Sequence, residues 1–171
     1  DPRDVLPPQL GPRGAEPAGR AVQDLHDAGI RIVPVPGPSS LTAALSVSGL
    51  PTDTFRFVGF LPRKKDKRAE HLSRLAAQDG TLIFFESPRR IENLLAQTAA
   101  ILGDRSAVLC REMTKRHEEY LRGRLTQIRA ALATRGQVKG ECTLLVGGRA
   151  PEPAVSEERL AAEIRRRLTS A

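Results

Sequence analysis

The sequence predicts an α/β fold with a mixed or mostly parallel sheet flanked by helices. Short runs rich in β-branched and aromatic residues alternate with segments of helical periodicity, which is the first observation behind this prediction. The second is the length of 171 residues, which suits one domain or one domain plus a fragment. The third is that polar, Gly- or Pro-containing segments follow several predicted strands, where open α/β folds usually bind ligands.

The elements can be placed in order along the chain. Residues 1–19 contain five prolines and three glycines, so we expect an irregular segment there. Helical spacing of apolar residues predicts helices over about 20–28, 41–47, 63–78, 88–102 and 125–133. Runs of β-forming residues predict strands over 30–35, 55–60, 81–85, 107–110 and 142–146. After a linker marked by Pro151 and Pro153, Leu160, Ile164 and Leu168 predict an amphipathic tail helix.

The composition favours a polyanionic partner. There are 27 Lys and Arg against 20 Asp and Glu, a net charge of +7, and such a surface favours RNA or DNA. A soluble protein from an arginine-rich proteome is the alternative explanation. Aromatic residues make up only 4%, which argues against modules that stack bases on aromatic platforms.

Several classes of protein lose support. No apolar run approaches the ~20 residues that span a bilayer, so no membrane partner is expected. Two cysteines are too few for a disulfide framework, and the three histidines lack metal-ligand spacing, so we expect a reduced cytosolic protein without a metal. The motifs of serine hydrolases, P-loop enzymes and ordinary dinucleotide binders are absent.

Five segments carry side chains suited to chemistry, and each has a purely structural alternative. The first, 35–40, reads as a strand, a turn and a helix start, with Pro38 suited to the first helical turn. The second, 63–68, is strongly basic, and its alternative is a solvated helix face. The third, 85–90, ends a strand, with Ser87 as a helix cap and Pro88 at the first helical position; Glu86 forms an ion pair there or accepts a hydrogen bond from a ligand.

The two remaining segments flank later strands. In the fourth, 110–119, six of ten residues are charged, so acids and bases meet at the end of a strand. In the fifth, Gly140 permits close backbone approach just before the final strand.

Taken in order, the segments PGPS, GFLPRK, FESPRR, REMTK and KGE resemble the tetrapyrrole methylase superfamily. Within it they resemble the branch of 16S rRNA (cytidine-2′-O)-methyltransferases, over roughly residues 20–147. Five motifs in the right order are specific together, although each is weak alone. The resemblance implies a C-terminal methylase-like α/β domain, S-adenosylmethionine (SAM) as cofactor, 16S rRNA or the small ribosomal subunit as partner, and a cytoplasmic homodimer.

The resemblance also implies the cofactor contacts, which are expected at Pro38, Ser39, Ser40, Phe85, Glu86, Arg111, Glu112 and Gly140. For contact with RNA we expect the basic side chains of Arg63, Lys64, Lys65, Arg68 and Arg89. Location at the sheet edge gives three candidates for the catalytic role, among which the sequence does not choose: Glu86, Glu112 and Lys115.

The chain departs from the family pattern mainly at its start. The family's N-terminal domain is expected to be missing, and residues 10–17 do not match its acidic Asp-x-Gly-x-Pro loop. Milder departures are Ser40, Arg89 and Met113, where the family usually has Ala, His and Leu. We therefore expect an irregular segment (1–19), a remnant of the N-terminal domain with the interdomain connection (20–50), the methylase-like domain (51–148), and a linker with a tail helix (149–171).

Three functions are consistent with these observations. The leading one is an rRNA ribose methyltransferase, or its C-terminal part. A non-catalytic basic domain that docks on rRNA or dimerises is the second. A tetrapyrrole methyltransferase is the third, and the net charge of +7 and the basic segment 63–68 count against it.

Overall fold

The structure is a computed structural model of the chain, and it describes residues 15–136 and 138–149. The chain divides into two compact units, residues 1–38 and 39–171. The domain boundaries expected from the sequence stay predictions, although this division does not coincide with them. The predicted linker prolines and tail helix, and most of the segment 1–19, lie outside the described residues.

The first unit contains one helix, α1 (Ala15–Asp27), within its described part. It ends at Asp27, and Gly29 in the turn that follows has a φ of 70°, in the left-handed region. Its start corrects the sequence prediction, because residues 15–19 are helical rather than irregular. The predicted strand 30–35 is also wrong: these residues form no ladder, and Val33 and Val35 are exposed. A β-strand needs a neighbour to take its backbone hydrogen bonds, and apolar β-branched residues alone do not supply one.

The second unit is a five-stranded mixed sheet with helices on both faces, as the sequence predicted. Its helices are α2 (Ser40–Ser48), α3 (Lys65–Arg74), α4 (Ile91–Leu102) and α5 (Leu125–Ala133). Its strands are β1 (Phe55–Phe60), β2 (Thr81–Glu86), β3 (Ser106–Arg111), β4 (Glu119–Arg124) and β5 (Cys142–Val146). The strand β4 was missed, since its sequence is mostly polar and charged.

The strand directions determine where the strand ends meet. The order is β1-β2-β5-β3-β4, with β1 and β2 parallel and every other neighbouring pair antiparallel. Strands β1, β2 and β3 therefore run the same way, and β4 and β5 run against them. The carboxyl ends of the first three strands and the amino ends of the other two lie along one side of the sheet, the site edge.

Apolar packing holds both faces. On one face, α3, α4 and α5 bury residues such as Leu72, Leu95 and Ile128 against the sheet. On the other face, Ala44 and Leu45 of α2 pack on a smaller cluster that includes Val108. Full burial of one such side chain contributes about 1.5–3 kcal/mol, so these contacts fix the helices and hence the loops at the site edge.

Two predicted helix starts are wrong, and both concern prolines near the site edge. Ser39 rather than Pro38 is the N-cap of α2, and α2 begins at Ser40. Pro88 does not begin α4, because residues 87–90 form a turn in which the Arg90 N–H donates to the Ser87 carbonyl. Arg90, not Ser87, is the N-cap of α4.

Candidate active site

Three chemistry-bearing segments meet at the site edge, namely 85–90, 110–119 and the one that contains Gly140, and Ser40 at the end of the first segment borders it. Register pairs Glu86 of β2 with Cys142 of β5, and Cys142 with Arg111 of β3. Phe60 ends β1 next to Phe85, and Gly140 lies just before β5. This convergence follows from strand direction, because β5 runs antiparallel and brings its preceding loop to the same side.

A cavity of about 500 Å³, which we call the edge cavity, opens at these strand ends. This volume lies within the range of ~300–1,000 Å³ typical of small-molecule sites. Its lining combines aromatic and sulfur-containing side chains with hydroxyls and two carboxylates: Ser40, Phe60, Phe85, Glu86, Ser87, Pro88, Met113, Gly140, Glu141, Cys142 and Thr143.

The start of α2 borders the edge cavity through Ser40. Ser39 has extended backbone angles, as an N-cap requires, but its side chain makes no capping hydrogen bond. The first N–H groups of a helix lack intrahelical partners and favour negative charge. This end of α2 therefore suits an anionic group of a ligand that occupies the cavity.

Glu86 is buried and ion-paired. The residue is only 3% exposed, and its Oε1 accepts a hydrogen bond of 2.8 Å from the Ser87 N–H. Its Oε2 lies 2.9 Å from Arg90 Nη2 as an ion pair without hydrogen-bond geometry. A carboxylate held in this way positions the turn at 87–90 and is poorly placed to take a proton from a substrate.

The loop after β3 is strained and stapled to the loop before β5. Glu112 and Thr114 have φ angles of 48° and 64°, which residues other than glycine seldom adopt. The Glu112 N–H donates to the Glu141 carbonyl, and the Glu141 N–H donates to Glu112 Oε1. Lys115 Nζ lies 3.1 Å from Glu112 Oε1 and 3.2 Å from Glu141 Oε2.

These contacts determine the protonation states of Glu112 and Lys115. The hydrogen bond from the Glu141 N–H, followed by that from Lys115, lowers the pKa of Glu112. The hydrogen bonds to Glu112 and Glu141 raise the pKa of Lys115. Glu112 therefore stays a carboxylate and Lys115 stays an ammonium at neutral pH, so Lys115 lacks the free lone pair of a general base.

Arg111 and Glu112 lie on a neighbouring cleft of about 660 Å³ instead of the edge cavity. Arg111 forms an ion pair with Glu119 and donates to the Lys139 carbonyl at 2.8 Å. These bonds hold the loop that carries Gly140, which borders both the cleft and the cavity. Arg111 therefore affects the edge cavity indirectly, by holding in place the loop that carries Gly140.

The basic segment divides between surface and interior. Arg63, Lys64 and Lys65 are exposed, and so is Arg89 on the turn before α4. Arg68 is only 7% exposed and its Nε donates to Gln97. The structure thus takes Arg68 off the surface to which the sequence analysis assigned it, because its guanidinium ties α3 to α4.

The structure therefore groups the predicted cofactor residues unevenly. Four of them line the edge cavity: Ser40, Phe85, Glu86 and Gly140. Two others, Arg111 and Glu112, line the neighbouring cleft. Of the remaining two, Ser39 is the N-cap of α2 and Pro38 is the last residue of the first unit. Seven other lining residues were not among the predicted cofactor contacts: Phe60, Ser87, Pro88, Met113, Glu141, Cys142 and Thr143. Five of them lie inside the motifs, and Cys142 and Thr143 lie on β5, whose antiparallel direction the sequence analysis did not predict.

Two further classes of site find no support in the described part of the chain. No group of three or more His, Cys, Asp or Glu side chains could hold a metal ion there. Within the same residues, no helix has both the length and the apolar character needed to cross a membrane.

The sequence profile of the Tetrapyrrole (Corrin/Porphyrin) Methylases family matches residues 12–129. The chain belongs to this methylase family. The match covers more than half of the chain and includes four of the five strands.

Relatives of this methylase chain carry a more specific name. It is 44% identical over 144 residues to a protein of Micromonospora olivasterospora named ribosomal RNA small subunit methyltransferase I. It is also 44% identical over 158 residues to a protein of the same name from Mycobacterium tuberculosis. These alignments cover 84% and 88% of this chain but 46% and 55% of the relatives. The methylase chain thus spans about half the length of the relatives it matches.

Solved structures agree on the fold. A cobalt precorrin-4 methyltransferase of cobalamin biosynthesis superposes with a TM-score of 0.51 at 21% identity, covering 75% of this methylase chain and 57% of the other. A diphthine synthase superposes with a TM-score of 0.53 at 16% identity, covering 78% of this chain and 55% of the other. At these identities the likeness establishes the shared fold alone.

Proposed function

We propose that this chain forms one wall of the cofactor site of a SAM-dependent methyltransferase that acts on the ribose 2′-hydroxyl of a cytidine in small-subunit rRNA. The observation that carries the proposal is the edge cavity, where residues inside the family match, such as Ser40, Phe85 and Met113, meet the start of β5. The names of relatives at 44% identity support the choice of rRNA as substrate. The chain's net charge of +7 agrees with a polyanionic partner.

The residues of the edge cavity fit the chemical groups of SAM. The aromatic rings of Phe60 and Phe85 suit an adenine, and Met113 and Cys142 suit the aliphatic carbons of the methionyl chain. The exposed carboxylate of Glu141 suits a cationic group, and the uncapped start of α2 suits a carboxylate. When bound, SAM supplies an electrophilic methyl group on a positively charged sulfur.

The chain's contribution to the reaction is to position and enclose the reactants. In methyl transfer a ribose oxygen forms a bond to the methyl carbon as the carbon–sulfur bond breaks, and the hydroxyl proton leaves to water. The three predicted catalytic side chains are poor proton acceptors: Glu86 is buried in an ion pair, the lowered pKa of Glu112 makes its carboxylate a weak base, and Lys115 stays protonated. Alignment alone can supply ~7–11 kcal/mol of rate enhancement.

The exposed cations at Arg63, Lys64 and Lys65 supply the RNA-contacting surface of the proposal. They follow β1 directly, and β1 ends at Phe60 in the wall of the edge cavity. Lys and Arg that neutralise phosphates provide most of the sequence-independent affinity for nucleic acid. Arg89, exposed on the turn after β2, extends this surface.

Calorimetry with SAM on the full 171-residue chain tests the cofactor site. We expect binding by the wild type and at least tenfold weaker binding by Ser40→Leu, whose side chain fills the edge cavity. Ser46→Leu is the matched control, because Ser46 is exposed on the same helix and does not line the cavity. Absence of binding by the wild-type chain, or equal affinities of the two variants, contradicts the proposed site.

Methyl transfer is then measured with naked small-subunit RNA and with assembled subunits as substrates. A 2′-O-methylated cytidine in either supports the proposed function. SAM binding without transfer to RNA, but with transfer to a tetrapyrrole, favours the tetrapyrrole methyltransferase. RNA binding without SAM binding favours the docking domain. The expected homodimer is tested by sedimentation, and the cytoplasmic location by fractionation.

A further inference from the structure

A second cavity, of about 610 Å³, adjoins the edge cavity and was not identified from the sequence. Two arginines, a histidine and a hydroxyl border it: Arg63, His71, Arg90 and Ser87. We call it the arginine cavity. We infer that it binds a phosphodiester group of the RNA strand, next to the ribose that receives the methyl group. This inference rests on the proposed function and adds a phosphate subsite to it.

The charges around the arginine cavity favour an anion. Arg63 is exposed at the end of the loop after β1 and is free to turn toward a ligand. The one carboxylate in the wall, Glu86, is already ion-paired with Arg90. Arg63, Arg90 and Glu86 together give the cavity a net positive charge, without counting His71. A phosphate bound there is repelled less, because the carboxylate of Glu86 is already paired with a cation.

Arg90 is held rigidly and keeps unused donors. Its Nη2 donates to the Leu61 carbonyl at 3.2 Å and faces Glu86, so the guanidinium is fixed between β2 and the loop after β1. Its Nε is buried with no hydrogen-bond partner among the described residues. A buried donor without a partner costs free energy, so the described residues leave this guanidinium incompletely satisfied. A preorganised guanidinium with spare N–H groups is the side chain best suited to phosphate.

The position of the cavity links it to the proposed reaction. Phe60, Glu86 and Ser87 line both cavities, so one wall separates them. In RNA each ribose is bonded directly to its phosphates. A strand that places a phosphate in the arginine cavity therefore brings the adjoining ribose to the wall of the edge cavity. His71, in the last turn of α3, also lines this cavity.

Proton NMR of the histidine rings tests the subsite directly. The chain has only three histidines, and the variant His71→Gln assigns the signals of His71. The probes are inorganic phosphate and a short single-stranded cytidine-containing RNA, at matched ionic strength. We expect RNA to shift the His71 signals at concentrations where phosphate alone shifts them less, and to leave His26 and His117 unchanged. Unmoved His71 signals overturn the inference, and equal shifts by free phosphate overturn its assignment to RNA.

Substitutions provide a second, independent measurement. We expect Arg63→Ala and His71→Ala each to weaken RNA affinity by roughly three- to tenfold, as loss of a contact to a charged group predicts. Both side chains are exposed, so folding is preserved. Lys67→Ala is the control, since Lys67 is exposed on the same helix but does not line the cavity. Equal losses in all three variants overturn the inference.

The inference and the proposed function fail separately. Wild-type chain that binds no SAM contradicts the methyltransferase proposal, whereas the NMR readout of His71 does not depend on SAM. RNA that binds the chain without moving His71 contradicts the phosphate subsite and leaves the methyltransferase proposal standing.

Discussion

Gly140 lies against Glu112 so closely that a Cβ atom on Gly140 would come within 2.3 Å of Glu112 Cγ. The φ angle of Gly140 is 88°, which L side chains seldom adopt. The lack of a side chain on Gly140 leaves room for the Glu112 carboxylate, which accepts a hydrogen bond from the Glu141 N–H. The loops after β3 and before β5 are thereby joined beside the edge cavity.

Substituting Gly140 with alanine is expected to open this junction. The left-handed backbone and the contact with Glu112 together predict a loss of about 1–3 kcal/mol in the free energy of unfolding. SAM affinity should fall as well, because Gly140 borders the cavity. Gly136→Ala serves as control, since a Cβ there meets nothing within 4 Å. Equal effects of the two substitutions on urea unfolding would contradict this account.

The hydrogen bonds to Glu112 predict a dependence of stability on pH. They lower the pKa of Glu112 below its model-compound value of 4.5. A lowered carboxyl pKa stabilises the folded state at pH values above 4.5, and this contribution is lost as the pH falls through the folded-state value. The wild type should therefore lose more stability than Glu112→Gln between pH 5 and the folded-state pKa. Urea unfolding of both proteins across this range measures the difference; parallel curves would exclude the effect.

The buried ion pair of Glu86 and Arg90 predicts that loss of Arg90 destabilises the chain far more than loss of its neighbour Arg89. Removing Arg90 leaves the carboxylate of Glu86 buried without a cation, which typically costs about 3–5 kcal/mol. Arg90→Ala should therefore strongly destabilise the chain in thermal and urea unfolding. Arg89→Ala is the matched control, because Arg89 is exposed.

A double substitution of Glu86 and Arg90 distinguishes the cost of an unpaired charge from the cost of lost packing. If the unpaired carboxylate causes the loss, Glu86→Gln should recover much of the stability of Arg90→Ala, and the two effects will not add. Additive effects in this cycle would place the cost in lost packing instead.

The sequence predicted the parts of the fold that depend on local pattern. The helix α5 has the predicted bounds because Leu125, Ile128 and Leu132 keep regular helical spacing, and β5 has them because its residues form an unbroken β-forming run. The strand β4 was missed because Glu119, Arg122 and Arg124 hide its alternation, although pairing with β3 and packing of Leu121 and Tyr120 on the core clusters stabilise it. The strand predicted at 30–35 is absent for the converse reason: the residues favour a strand but pair with none of the described strands.

The candidate site was predictable as a set of segments but not as a geometry. Segments that end parallel strands must meet at one edge, and they do. Which side chains face the edge cavity depended on the direction of β5, which no local pattern encodes. The burial of Arg68 could have been predicted, since Arg68 lies four residues before Leu72 and seven before Leu75, on the apolar stripe of α3.

The basic segment 63–68 contains both exposed and buried side chains, and we expect the two kinds to affect RNA binding differently. Lys64 and Lys65 are exposed, so replacing both with alanine should weaken RNA binding and reduce the log–log slope against salt by roughly 0.7–0.9 per lost contact. Arg68→Ala should leave that slope unchanged and lower the free energy of unfolding, because the buried guanidinium donates to Gln97. Filter binding over a salt series and urea unfolding measure the two effects. A reduced slope for Arg68→Ala with wild-type stability would mean that its guanidinium contacts phosphate, against the geometry described above.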